Sequence, residues 1–381
     1  MLRRHHERFR WGVAGSAFQS EGHLPRCNWQ GYLSDGKHPG LEPYGDSVDF
    51  RHRYREDIAL AKDLGVDVFR FGVNWARVEP TPGAIDKEAW AFYRDVVSAI
   101  VDAGMEPMPT LDHFVYPEWI FDRGGWLNPS TVDFFTKYVE VAIDQIDAFC
   151  PWWLIFNEPS ISVLLEIKMR DLPPERALEM AANLVEAHRR SYELIKTTHK
   201  DALVSSNEAT GNLPLPLRTH TDALFLDQVA ADYLDFIGLD IYYPDLTAEG
   251  MAQIDSGAPW LVPQPPDGIG PIAEYYANKH PGLPVFIIET GMPTDNGGPR
   301  PDGLTRSQHL LNAVDSIRHA RERGIPLIGM LYWSLTDNYE WGSYRPRFGL
   351  YSVDVVGDPT LTRVPTDAVE TFKNVIASTN W

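Results

Sequence analysis

Short apolar runs rich in β-branched and aromatic residues alternate along the chain with stretches whose apolar positions recur every three to four residues. The first pattern predicts buried strands and the second predicts helices packed on one face. Strands are expected at 9–14, within 66–75, and at 106–112, 152–156, 202–207, 236–243, 285–288 and 327–333. Helices are expected at 57–64, stopping at Gly65, and at 87–103, where Trp90, Tyr93, Val97 and Ile100 share a face. Asn128-Pro129-Ser130 opens another, with Val132, Phe135, Val139, Ala142, Ile146 and Phe149 on one side. The run Asp171-Leu172-Pro173-Pro174 reads as a cap with prolines near the first turn of a long helix to about residue 196. Further helices are expected at 223–231, 272–277, 305–323 and 368–376. Residues 247–270, rich in Pro and Gly, read as a long loop.

Eight strands alternating with helices, without linker or internal repeat, predict an α/β fold: a single (β/α)8 TIM barrel forming one catalytic domain over 1–381. A doubly wound open sheet is the alternative. Its phosphate-binding turn, Gly-x-Gly-x-x-Gly, is missing, and Gly268-Ile269-Gly270 is an isolated fragment. In barrels of this kind the active site lies at the C-terminal ends of the strands.

Composition narrows the function. A hydrophobic content of 44% allows a large core. The formal charge of −19 argues against nucleic-acid binding and disfavours strongly anionic substrates. Cys27 and Cys150 lack metal-ligand spacing and read as reduced thiols of a cytoplasmic protein. The basic start, Met1 to Arg8, is not followed by an apolar segment, so no secretory signal is expected. No apolar run approaches the ~20 residues of a membrane span.

Candidate chemistry sits at two strand ends. Glu289 closes the apolar run Val285-Phe286-Ile287-Ile288, and Glu158 follows Trp152-Trp153-Leu154-Ile155-Phe156-Asn157. A glutamate at the end of a buried strand serves no core, because an unpaired carboxylate is costly to bury. Singly, each would more often be a surface charge. Together they suit glycosidic cleavage, in which one carboxyl protonates the leaving oxygen and the other attacks or stabilises the sugar carbon. Arg70 lies inside an apolar strand and needs a carboxylate partner. His113 ends strand three, where a satisfied core histidine is the bland reading. Trp333, Glu340 and Trp341 supply indoles and an acid after strand eight, suited to the C–H face and hydroxyl pairs of a pyranose. His188 reads as packing, Glu208 as a rim charge by default, and His5 and His6 as terminal residues needing no metal.

These residues resemble the retaining β-glycosidases of glycoside hydrolase family 1 over nearly the whole chain. The resemblance rests on Phe9-Arg10-Trp11-Gly12-Val13-Ala14 with Gln19-Ser20-Glu21-Gly22, and on Phe69 to Arg77. Phe156-Asn157-Glu158-Pro159 and Ile287-Ile288-Glu289-Thr290-Gly291 carry it further, as does Trp333 to Trp341 followed by Arg347-Phe348-Gly349. It implies Glu289 as nucleophile and Glu158 as acid, then base, with Arg70 and Tyr242 holding Glu289 ionised and oriented. It further implies Gln19, His113, Asn157, Glu340 and Trp341 as sugar-hydroxyl ligands and Trp333 as the stacking floor. Phe114, Asp240 and Phe348 would complete the sugar site. No metal or cofactor is implied; the partner is a small carbohydrate or glycoside, and the charge of Glu340 favours a neutral sugar over a 6-phosphosugar.

Three positions depart from the family pattern. Thr290 replaces an Asn, Phe114 a Trp, and Asp240 an Asn; the last adds a third carboxylate that raises the pKa of a neighbour or stays protonated itself. The segments after strands four and six are short for the family, which predicts an open side for the leaving group. Three functions fit: a retaining β-glucosidase-like hydrolase, a transglycosidase using the same intermediate, and a catalytically silent sugar-binding barrel, against which stand both glutamates, Arg70 and Tyr242.

Overall fold

Parallel strands covered by helices bury both of their faces, so they read as nearly unbroken apolar runs. That is the pattern of β1 (Arg10–Ala14), β2 (Val68–Gly72), β3 (Glu106–Asp112), β4 (Trp152–Asn157), β5 (Leu203–Ala209), β6 (Ile237–Asp240), β7 (Val285–Thr290) and β8 (Leu327–Trp333). In the computed structural model they pair in sequence order, and β8 pairs with β1 to close the barrel. The structure describes residues 8–34, 41–146, 149–210, 221–243, 246–379 and 381; His5 and His6 lie outside them.

Two layers of core hold this frame. Inside the barrel, Val68, Met108, Trp152, Leu154, Phe286, Ile288 and Leu331 pack on one another. Outside, strand residues such as Phe69, Ile155 and Ile287 meet the apolar stripes of the helices, among them Trp90, Phe135, Leu184 and Ile317. The helices Phe50–Leu64, Lys87–Asp102, Ser130–Ile146, Ala177–Thr198, Arg306–Glu322 and Ala368–Ser378 follow the expected periodicity. No helix among the described residues is long and apolar enough to cross a membrane.

Several expectations are corrected. The 247–270 stretch contains the helix Ala248–Asp255, whose start is capped by Thr247 Oγ1 accepting from Gly250 N–H, and a 3-10 turn at Pro259–Leu261. The helix expected at 272–277 runs over Ile269–Lys279. Phe149 is not on the Ser130–Ile146 face; that helix has ended and the ring is 56% exposed. Strand six stops at Asp240 rather than 243. A helix that periodicity did not reveal, Pro159–Met169, follows directly on Glu158. It is apolar on nearly every side (Ile161, Val163, Leu164, Leu165, Ile167), so no amphipathic stripe marks it.

Candidate active site

Strand regularity breaks where the polar residues gather. Pairing shifts register between Leu154 and Asn157 on β4, between Leu239 and Asp240 on β6, and between Ile287 and Thr290 on β7. Such irregularities re-aim side chains at barrel rims. The shifts place Asn157 opposite Asn207 and Asp240 opposite Glu289. Gly291 is required just beyond the second: a Cβ there would lie 2.1 Å from the Trp333 carbonyl oxygen.

Arg70, fully buried on β2, is the hub. Its Nη1 donates to Glu289 Oε1, its Nη2 to Asn157 Oδ1 at 2.6 Å, and its Nε to Thr110 Oγ1 at 2.9 Å. Tyr242 Oη donates to the other Glu289 oxygen at 2.6 Å. Burial first, and the Glu289 charge second, hold the Tyr242 phenol well above its ordinary pKa, so it stays a donor. Glu289 therefore has both oxygens fixed, one by a cation and one by a phenol.

Glu158 sits across from it. Its backbone is left-handed (φ 43°, ψ 57°) and caps the Pro159–Met169 helix, with Pro159 at the first helical position. A non-glycine residue in that region is sterically disfavoured and persists only where its surroundings enforce it. Its N–H is tied to the Asn207 carbonyl at 2.8 Å. Oxygens of Glu158, Asp240 and Glu289 all lie within 4.8 Å of one another. Burial, then the charges of Glu289 and Glu208, push the Glu158 carboxyl well above the ordinary range. Burial, then Glu289 and Glu158, do the same to Asp240.

The remaining residues form a ring around this centre. His113 Nδ1 faces Arg70 Nη2 at 3.5 Å, and burial followed by the Arg70 charge holds the imidazole neutral. With Nδ1 toward a donor, the proton is assigned to Nε2, which is left free to donate. The ring stacks between Trp333 (centroids 5.8 Å, 27°) and Trp341 (5.7 Å, 20°). Phe114 meets Trp341 edge-on at 4.9 Å, and Phe348 meets Tyr242 at 5.6 Å. Gln19 Nε2 donates to Glu340 Oε2 at 3.1 Å, and the Trp333 indole donates to Glu340 Oε1 at 3.0 Å. Burial pushes the Glu340 carboxyl up to about 8. Each residue expected in the site is thus brought to one mouth of the barrel.

Residues without an expected role also enter. Asn207 Nδ2 donates to Asn157 Oδ1 at 2.7 Å and to Asp240 Oδ2, bridging β4 and β6. Thr110 and Asn338 hold Arg70 and Gln19. Glu208 is not a rim charge: it is buried, accepts from Ser160 Oγ at 2.9 Å, and burial raises its carboxyl well above the ordinary range. The run Ser205-Ser206-Asn207-Glu208, four polar residues in a strand otherwise buried on both faces, was the sequence signal for these. His188 is a packed histidine, with Nδ1 at 3.0 Å from Ser206 Oγ and Nε2 at 2.8 Å from the Tyr233 carbonyl.

A closed parallel barrel with a carboxylate pair and an aromatic ring at its C-terminal mouth defines the class: a carbohydrate-active (β/α)8 enzyme. The comparisons with known proteins agree. The model of the family described as "Glycosyl hydrolase family 1" matches residues 2–251 and 243–381. Beta-glucosidase A of Thermotoga maritima is 26% identical, the alignment covering 97% of each chain. The chloroplastic galactolipid galactosyltransferase SFR2 of Arabidopsis thaliana is 28% identical over 87% of this chain, which spans only 58% of that relative's length. Among solved structures, a beta-glucosidase designated 1317 superposes with a TM-score of 0.83 at 26% identity, covering 97% of this chain and 98% of the other. A beta-glycosidase from Pyrococcus horikoshii gives 0.82 at 25%, covering 97% and 94%. The chain belongs to glycosyl hydrolase family 1, and is a glycoside hydrolase.

Proposed function

We propose that this enzyme cleaves β-glycosidic bonds with retention, most simply as a β-glucosidase on small, aryl or alkyl β-glycosides. The observation that carries the reading is the spacing of Glu158 and Glu289, whose nearest oxygens lie within 4.8 Å. A retaining pair sits ~5–5.5 Å apart, whereas an inverting pair leaves ~6.5–9.5 Å for a water molecule. In this reading Glu289, clamped by Arg70 and Tyr242, attacks the anomeric carbon while Glu158 gives its proton to the departing oxygen. The carboxylate left on Glu158 then takes a proton from the incoming water, whose oxygen displaces Glu289. Asn157 suits the sugar 2-hydroxyl, because its Nδ2 is buried and has no protein partner among the described residues. His113 Nε2, Gln19, Glu340 and Trp341 would take the remaining hydroxyls over the Trp333 face.

Incubation with a 2-deoxy-2-fluoro β-glucoside should label Glu289, seen by peptide mass spectrometry, and NMR should show β-glucose as the first product. A label elsewhere, or α-glucose first, would remove the retaining assignment. A second reading, transfer of the sugar to an acceptor alcohol, is supported by the relative named a galactolipid galactosyltransferase. Product analysis with added long-chain alcohols separates the two.

A further inference from the structure

The mouth of the barrel holds more carboxyls than its charge can balance. Glu158, Asp240, Glu208 and Glu289 are gathered there, with Arg70 the one cation that bonds within the cluster among the described residues. Arg70 is committed to Glu289, and its other donors go to Asn157 and Thr110. Asp240 is 1% exposed on the end of β6. Its Oδ2 accepts from Asn207, but its Oδ1 is buried with no donor in reach among the described residues. A buried carboxylate oxygen without a donor is costly, and two ionised carboxylates in contact are costlier still. Both costs vanish if Oδ1 itself bears a hydrogen and points it at the oxygen of Glu158 beside it.

We propose that Asp240 is a protonated positioning residue for Glu158, donating an O–H hydrogen bond to that carboxyl where a side-chain amide would otherwise donate an N–H. The proposal rests on the retaining reading above, with Glu158 as acid/base. The groups facing Asp240 are Glu289 and Glu158, which favour a proton on it, and Arg70 and Asn207, which oppose it. When Glu158 gives its proton to the leaving oxygen, the C–O bond breaks as the Glu289–carbon bond forms. The carboxylate left on Glu158 then accepts the Asp240 O–H. Asp240 keeps its proton throughout, and no net charge is added beside Glu289.

The test compares kcat/KM, which reports the first bond cleavage, for Asp240→Asn and Asp240→Leu on two substrates. A 2,4-dinitrophenyl β-glucoside needs no proton on its leaving group, whereas an alkyl β-glucoside does. Asp240→Leu should lose on the order of 10–100-fold more on the alkyl than on the dinitrophenyl substrate, as for a lost hydrogen bond to a charged group. Asp240→Asn, neutral and still a donor, should recover most of that selective loss. Equal loss on both substrates, or an Asn variant as impaired as the Leu variant, overturns the proposal. Should Asp240→Leu fail to fold, the infrared difference spectrum of wild type minus Asp240→Asn at neutral pH must show the loss of one protonated-carboxyl component, the bands of Glu158, Glu208 and Glu340 remaining; a difference spectrum without that component also overturns it. Failure of the fluoroglucoside to label Glu289 refutes the retaining reading instead, so the two failures are told apart.

Discussion

Glu340→Gln should stabilise the protein, and do so more strongly as pH rises. Burial pushes the Glu340 carboxyl from an ordinary 4.5 up to about 8, while donors from Trp333 and Asn338 pull it only partly back. A carboxyl whose folded pKa is raised binds its proton more tightly in the folded chain than in the unfolded one. Stability is then unaffected below the unfolded value and is lost as pH climbs toward the folded one. From 4.5 to about 8 the accumulated loss reaches a ceiling of about 5 kcal/mol, at 1.36 kcal/mol per pH unit. Glutamine matches the neutral acid in shape and keeps an oxygen for the Trp333 indole, so it should escape this loss. The assay is thermal unfolding of wild type and Glu340→Gln at pH 4.5, 6.5 and 8.5. The melting temperatures should nearly coincide at the lowest pH and diverge by several degrees at the highest, with the variant above. Sugar turnover should fall in the same variant above about pH 8, where the wild-type carboxylate can accept from two hydroxyls and the amide cannot. A constant offset at all three pH values, or a variant that melts lower at pH 8.5, would refute the linkage argument.

Asn157→Ala should lower kcat/KM on an aryl β-glucoside by roughly 10–100-fold, the worth of a hydrogen bond that strengthens toward a charged transition state. The same change should matter far less on the 2-deoxy analogue, and equal losses on both would remove the 2-hydroxyl contact. Arg70→Met leaves Glu289 as a buried acid without its cation, a class of change that costs about 3–5 kcal/mol. Urea unfolding at neutral pH should show that loss, smaller at pH 4 where the carboxyl can take a proton. Gly291→Ala drives a methyl into the Trp333 carbonyl and should cost at least about 2 kcal/mol and most of the activity, read by denaturation midpoint and aryl-glucoside rate.

The barrel is legible because most of its strands are short apolar runs closed by polar residues and alternate with stretches of helical periodicity. Glu158, Glu289 and Arg70 stood out for the same reason: each is a charge in a place where burial makes it expensive. What stayed hidden had no contrast to show. The Pro159–Met169 helix is apolar on nearly all sides, so it carries no periodic stripe, and the Ala248–Asp255 helix is short and surrounded by Pro and Gly. The polar run Ser205 to Glu208 marks β5 as unusual but gives Asn207 no partner. Only the register shift on β4, which sets it against Asn157, reveals it as the bridge to Asp240. Glu208 reads as a rim charge because one-dimensional sequence cannot tell an outward strand end from one that is buried and bonded to Ser160 Oγ.

Charge economy joins the separate parts of the site. The guanidinium of Arg70, Nη1 to Glu289 and Nη2 to Asn157, fixes the acid that the proposed reaction uses as its nucleophile. Every other acid at the mouth (Glu158, Asp240, Glu208, Glu340) is raised by burial and so tends to hold its proton. The two roles demanded of a carboxyl pair are thereby separated by environment rather than by residue type. The same burial that, in the proposed mechanism, supplies a protonated acid opposite the nucleophile also stores a stability deficit at the barrel mouth. It follows that glutamine in place of Glu158 or Glu340 should raise stability as it lowers turnover, whereas removing Arg70 should lower both. That opposite pairing, one sign for the acids and the other for their cation, is what an active site built by desolvation requires and what a merely structural ion-pair network would not produce.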